Sequence, residues 1–194
     1  IVDACHTAPA TEPMTMLPDL LPALDGALGG IVKGLTWHLT PTYSVHSEKE
    51  TLRVIILRQS FDFAASHRLH VAALSDEENR AVFGKCNTPS GHGHNYRVEP
   101  TVAVDLDKAW ASGGAPFGLA QLERLVESHV IERFDHTYLN TDTQDFGDAG
   151  VNPSVEHIAK RCYELLASEI DAASSGTAEL RSVTVWETDR TSAT

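Results

Sequence analysis

Apolar side chains recur along this chain with two different periods. Between residues 17 and 32 they fall at Leu17, Leu20, Leu21, Leu24, Leu28, Ile31 and Val32, the spacing of one helical face, interrupted by Pro22. Residues 35–45 read as extended, and Ser47-Glu48-Lys49-Glu50 as a turn. Leu52–Phe63 is dense in Val, Ile, Leu and Phe and predicts a strand. Residues 92–105 alternate, with His92, His94, Tyr96, Val98, Pro100, Val102 and Val104 on one side, and Pro100 marks an edge or a bulge. Residues 119–134 predict a helix that turns Leu119, Leu122, Leu125, Val126, Val130 and Phe134 inward. Asn152-Pro153 reads as the start of another, with Val155, Ile158, Ala159, Cys162, Leu165, Leu166 and Ile170 inward and Ser174-Ser175-Gly176 as its stop. Val183–Thr188 closes the chain as a strand, while residues 1–16 and the polar connection 70–90 read as irregular. From residue 52 the order is strand, strand, helix, helix, strand, which predicts an α+β fold with helices on one face of an antiparallel sheet.

Composition narrows the partners. A net charge of −12 argues against a non-specific nucleic-acid binder, which needs a basic face. A local basic patch can still receive an anionic small molecule. No apolar run approaches the length of a membrane span and no signal peptide is visible. The cysteines Cys5, Cys86 and Cys162 are odd in number and show no paired spacing, which points to a reducing, cytoplasmic setting.

Candidate chemistry begins at His92-Gly93-His94. Residues i and i+2 of a strand point the same way, so both imidazoles can converge on one ion. A third ligand must come from elsewhere: His67, just beyond the first strand, is the first candidate, and His70 competes with it. Three neutral imidazoles and an open fourth position suit catalytic zinc. Alone, a His-x-His pair among 10 histidines carries little weight. Cys86 lies in a polar loop six residues before His92, where a thiol can fold over a metal and act as a base. Cys162, on an apolar helix face, reads as core. Asp135 beside His136 can fix an imidazole tautomer. Glu187 shares its strand face with Val183 and Val185 and needs a partner, which an amino-pyrimidinone ring could supply through paired hydrogen bonds.

Taken together these residues resemble the 6-pyruvoyl-tetrahydropterin synthase family, which includes the 6-carboxy-tetrahydropterin synthases of queuosine synthesis. The stretches that carry the resemblance are Phe61–Leu69, Gly84–Tyr96 with its Lys-Cys-Asn-Thr-Pro-Ser-Gly-His-Gly-His, Phe134-Asp-His-Thr-Tyr-Leu-Asn140, Asn152-Pro-Ser-Val-Glu-His157 and Val185-Trp-Glu-Thr188. They occur in the family's order across residues 52–194. The resemblance implies a tunnelling fold whose units assemble into a barrel, a homo-oligomer with active sites at subunit interfaces. It implies zinc on His67, His92 and His94, Cys86 as general base, Asp135 and His136 as a proton relay, Glu187 as ring anchor, and Ser154 and Glu156 near the pterin. The implied reaction releases triphosphate from 7,8-dihydroneopterin triphosphate with an internal redox shift from side chain to ring. Lys85, Arg68 and Arg97 are candidates to meet that triphosphate. Two departures are the absence of a Gly-x-Val-x-Asp pattern at Ala115–Leu119 and Val155 where relatives carry Thr or Ala.

The spacing from Cys86 to His92 favours the pyruvoyl product. The carboxy product is the alternative, and a non-catalytic metal-binding scaffold of the same fold is the second. Residues 1–51 exceed one unit. Thr36–Ser44 can be laid on Thr184–Ser192, with Thr36 on Thr184, Thr40 on Thr188, Ser44 on Ser192 and Leu39 on Glu187. This leads to the expectation of a degenerate partial unit at 1–51, without a site, ahead of the synthase unit at 52–194, so that fewer chains close the barrel.

Overall fold

A computed structural model describes residues 12–147 and 151–194, so the irregular reading of residues 1–11 lies outside the described residues. The elements are α1 (Leu17–Ala27), β1 (Gly34–His38), β2 (Tyr43–Glu48), β3 (Val54–Gln59), β4 (Phe61–His67), α2 (Asp76–Phe83), β5 (His92–Asp105), α3 (Leu106–Ala111), α4 (Leu119–Val126), α5 (Glu132–Phe134), β6 (Thr137–Tyr138), α6 (Leu139–Asp142), α7 (Val155–Ser174), β7 (Ala178–Thr188) and β8 (Thr191–Ala193). Among the described residues no helix is long and apolar enough to cross a membrane.

Among the described residues one sheet of eight strands organises the chain, and β5 is its spine. The strand expected at 52–63 is longer and broken. β3 pairs with the far half of β5 (Val54↔Asp105 to Arg58↔Thr101) and β4 with the near half (Phe61↔Val98 to His67↔His92). The break at Ser60 faces Glu99 and follows Gln59, which lies opposite Pro100, a residue with no N–H to give a ladder. Ser60 instead donates its N–H to Thr42 O at 2.9 Å and its hydroxyl to Glu99 at 2.5 Å. On its other side β5 pairs with β7, with a bulge between Thr101 and Val102, and β8 follows β7 as a short hairpin. The two-residue β6 lies parallel to β4.

Helices cover one face. Val126, Val130 and Phe134 meet Ile158, Cys162, Leu166 and Ile170 of α7 over the inward residues Phe63, Tyr96, Val98, Val102 and Val104. The expected helix 119–134 runs its whole length, with a wide π turn at Glu127–Ile131 between α4 and α5. Expected and observed elements also differ elsewhere, as α1 ends at Ala27 rather than at residue 32. Helix α7 begins two residues after Pro153 because Ser154 caps it, while the Asn152 side chain accepts the His70 N–H at 2.8 Å. The connection 70–90 contains α2, opened by a Ser75–Glu78 capping box. The last strand starts five residues earlier, at Ala178. Residues 35–45 form not one strand but most of a hairpin, β1 against β2 with a turn at Thr40-Pro41-Thr42, and β2 pairs onward with β3 (Tyr43↔Gln59 to His46↔Ile56).

Candidate metal centre and the groups around it

The inward face of each central strand changes character at one end of the sheet. Along β5 the buried run Val102, Val98, Tyr96 gives way to His94 and His92. Along β4 the run Phe63, Ala65 ends in His67, which is fully buried. Register places His67 opposite His92 and Ala65 opposite His94. On the other side of β5, Trp186 pairs with Arg97, and Glu187 comes next on β7 toward the histidine end. Ligand atoms of His67, His92, His94 and Glu187 thus lie within 4.8 Å of one another. The Nε2 atoms of His67 and His92 are 3.1 Å apart, and Glu187 Oε1 is 3.1 Å from His67 Nε2 and 3.2 Å from His94 Nε2.

These donors fit a metal. Ligands about 2.0–2.1 Å from a tetrahedral zinc stand about 3.3 Å from each other, close to the 3.1 Å between His67 Nε2 and His92 Nε2. His94 Nε2 is buried without a hydrogen-bond partner, since Glu187 Oε1 lies near it but out of line. A lone pair in that position is costly unless a cation takes it. His67 Nδ1 donates to the Pro153 carbonyl at 2.6 Å, which leaves Nε2 as the free acceptor. Burial lowers the pKa of His92 and of His94, which favours the neutral rings that ligation requires. His70, the competing candidate, turns away and bonds the Asn87 side chain at 3.1 Å.

Cys86 sits in a 3-10 turn, Gly84–Asn87, tied to the strand end by the Leu69 N–H on the Cys86 carbonyl at 2.8 Å. Burial raises its thiol, and the charge of Glu187 raises it further. The carboxylate of Asp135 accepts from the Ala64 N–H at 2.7 Å and holds His136 Nδ1 at 2.7 Å. His136 adopts φ 57°, a left-handed backbone uncommon outside glycine, and its side chain is 83% exposed. It lines, with His94, Ser66 and Tyr138, a cavity of about 470 Å³. Ser154 caps α7, and Glu156, exposed on its first turn, lines a different cavity with Lys160 and Arg181. The structure therefore gathers His67, His92, His94 and Glu187. It sets His136 on a cavity that His94 alone of those four lines, and leaves Ser154 and Glu156 on the α7 start.

The sequence reading missed the Pro153 carbonyl as the orienting group for His67, and no one-dimensional signal marks a backbone acceptor. It also missed how near Glu187 comes to the histidines, although its shared parity with Val183 and Val185 already aimed it inward.

A family model described as 6-pyruvoyl tetrahydropterin synthase matches residues 56–194. The chain is 39% identical over 127 residues to the human 6-pyruvoyl tetrahydrobiopterin synthase, which covers 66% of this chain and 81% of that protein. It is 40% identical over 110 residues to the protein of that name from Poecilia reticulata, covering 57% and 71%. Among solved structures it resembles the Caenorhabditis elegans 6-pyruvoyl tetrahydropterin synthase, with a TM-score of 0.59 and 30% identity over 72% of this chain and 93% of that one.

Proposed function

We propose, since the chain belongs to the 6-pyruvoyl tetrahydropterin synthase family and is a carbon–oxygen lyase of that type, that it converts 7,8-dihydroneopterin triphosphate to 6-pyruvoyl-tetrahydropterin with release of triphosphate. The observation that carries the reading is the convergence of the His67, His92 and His94 ring nitrogens at the sheet end, with Glu187 beside them. Zinc held there would act as a Lewis acid toward the substrate's side-chain hydroxyls and acidify the carbon-bound protons beside them.

The chain's own groups supply the rest. Pro153 holds His67 in the tautomer that presents Nε2. Cys86, whose thiol a dication held by the histidines would bring down to the thiolate, takes a proton from the substrate side chain. Asp135 keeps the proton of His136 on Nδ1, so Nε2 gives and accepts protons at the wall of the cavity that it shares with His94. The two electrons lost by the side chain are those gained by the pterin ring, so no external redox partner is needed. Glu187 holds the amino-pyrimidinone edge of the ring. The exposure of His136 suits a homo-oligomer in which a neighbouring subunit closes this wall.

The test is to incubate zinc-loaded protein with 7,8-dihydroneopterin triphosphate and follow triphosphate and pterin products by mass spectrometry. Triphosphate with 6-pyruvoyl-tetrahydropterin is expected. Acetaldehyde among the products would move the chain to the carboxy type, and no triphosphate release would refute the enzyme reading.

A further inference from the structure

The loop that carries Cys86 has a second face. Beside the 3-10 turn, Arg68, Asp76, Arg80, Gly84, Lys85, Asn87, Thr88 and Pro89 line a cavity of about 680 Å³. Three of these groups are cationic in a chain whose net charge is −12. Elsewhere most arginines and lysines meet acids, as Arg133 and Arg161 meet Asp145 and Lys49 meets Asp25. Among the described residues Arg68, Arg80 and Lys85 make no ion pair, and Asp76, which shares the cavity, pairs with none of them. Arg68 Nε donates to the Asn87 carbonyl at 3.2 Å, which sets its guanidinium across the cavity wall. Gly84, at φ 55°, makes the turn that brings Lys85 round after α2. The cavity adjoins the metal centre through the chain itself: Arg68 follows His67, and Lys85 precedes Cys86.

We infer that this cavity binds a polyphosphate, with Arg80 and Lys85 as its charged wall and Arg68 as the hinge to the metal centre. Cations without acid partners, converging on a concave site of that volume, suit a multiply charged anion with many acceptor oxygens. That the anion is the substrate's triphosphate tail rests on the functional reading above. Arg97, the other basic candidate, stacks its guanidinium 4.2 Å over the Trp186 ring and does not line this cavity.

The probe is inorganic triphosphate, titrated calorimetrically into zinc-loaded protein at low salt, with metal content checked after each run. R80E/K85E should weaken triphosphate binding at least tenfold, raise KM for the triphosphate substrate, and leave zinc content and the affinity for unphosphorylated 7,8-dihydroneopterin unchanged. R97E should do none of this. Where charge reversal disturbs the fold, R80Q/K85Q gives the same reading. Unchanged triphosphate affinity in both double variants, or an equal loss in R97E, overturns the assignment. Wild-type protein that binds triphosphate through these residues but releases none from the substrate leaves the cavity standing and removes the enzyme reading.

A separate observation concerns the residues ahead of the family match. Both α1 and α7 lead into an antiparallel hairpin, and both bury residues in one core cluster. Laying Thr36–Val45 on Thr184–Ala193 superposes the cross-strand pairs: Trp37↔Val45 on Val185↔Ala193, and His38↔Ser44 on Trp186↔Ser192. The turns share a hydrogen bond as well, Thr42 N–H to Thr40 Oγ1 at 3.2 Å and Arg190 N–H to Thr188 Oγ1 at 3.2 Å. Leu39 stands where Glu187 does, so the first copy lacks the acid that faces the histidines. The geometry points to residues 17–48 as a duplicate of the helix and hairpin of 155–193, one that caps the β3 edge. β2 pairs there with β3, whereas among the described residues its counterpart β8 pairs with β7 alone. The chain thereby closes its own β3 edge to the β8 of a second copy. Cysteine pairs in the full chain test this. S44C/R58C joins direct partners and should give a disulfide within one chain, whereas S192C/R58C should give none between chains. Interchain disulfides in either variant overturn the capping role.

Discussion

Replacing His67 and His70 separately decides whether the metal centre is the one the strand register builds. His67 Nε2 is 3.1 Å from His92 Nε2, and His70 bonds Asn87 instead. Losing a group that only orients a metal ligand costs about 10–100-fold in affinity, so losing a ligand should cost at least about 100-fold. Zinc at about 100 times the wild-type Kd stabilises the fold by about 2.7 kcal/mol. For a chain of this length that raises Tm by roughly 5–10 °C. At the same zinc concentration a variant bound 100-fold more weakly gains only about 0.4 kcal/mol, or roughly 1–2 °C. His67→Ala also leaves the Pro153 carbonyl without its donor and opens a small void, so its Tm without metal should fall too. The reading is therefore the zinc-induced shift, measured by calorimetry in buffer cleared of metal and then with zinc added. His67→Ala should lose nearly all of the shift and His70→Ala should keep it. A full shift in His67→Ala, or its loss in His70→Ala, refutes the assignment.

Other outcomes follow from the same geometry. Cys86→Ala should keep the zinc-induced shift and lose turnover, whereas Cys162→Ala, at a fully buried helix position, should keep turnover and lose about 1 kcal/mol in a denaturant melt. Glu187→Gln should weaken binding of 7,8-dihydroneopterin more than it weakens zinc; equal pterin affinity by calorimetry would remove the anchor role. The Asp145 carboxylate, 1% exposed, bridges Arg133 and Arg161. Burial alone would raise its pKa, but the two guanidiniums outweigh that and hold it below the usual value. Its contribution is then complete above about pH 4 and is lost as pH falls through the depressed folded value. Asp145→Asn should cost about 2 kcal/mol at neutral pH, discounted for the partly exposed arginines, and the gap to wild type should close in acid melts. A gap that widens on acidification would contradict that sign.

Strand periodicity made the site legible before any contact was known. The alternation of residues 92–105 aligned His92 and His94 with Tyr96 and Val98, and that side is the one facing the core. The same parity turned Glu187 inward with Val183 and Val185. What the chain did not disclose was set by tertiary partners. The break at Ser60 depends on which residues of β5 lie opposite it, and a run of apolar residues looks the same with or without a break. The start of α7 moved because Asn152 caps a neighbouring N–H rather than its own helix. The helix α2 was readable from its Ser75-Asp-Glu-Glu78 opening, but the polarity of the whole connection outweighed that signal. The hairpin β1–β2 hid behind an extended reading because its turn, Thr40-Pro41-Thr42, lacks glycine and relies on the Thr40 hydroxyl.

The position of the metal centre follows from the way the core ends. Phe63 and Tyr96 stack with ring centroids 5.0 Å apart, directly before the histidines on β4 and β5. Tyr96 is fully buried, and its hydroxyl comes within 3.4 Å of His67 Nδ1, the same nitrogen that Pro153 holds. Each ligand thus continues a close-packed strand face, and a close-packed face resists displacement. A shift of β4 by one residue would turn His67 outward and bring Ser66 into its place, removing core contacts at Phe63 and Ala65 in the same motion. Burial of the sheet face and alignment of the ligands are therefore one constraint. Register errors that would misplace a ligand are opposed by the same apolar contacts that fold the chain, before any metal is bound.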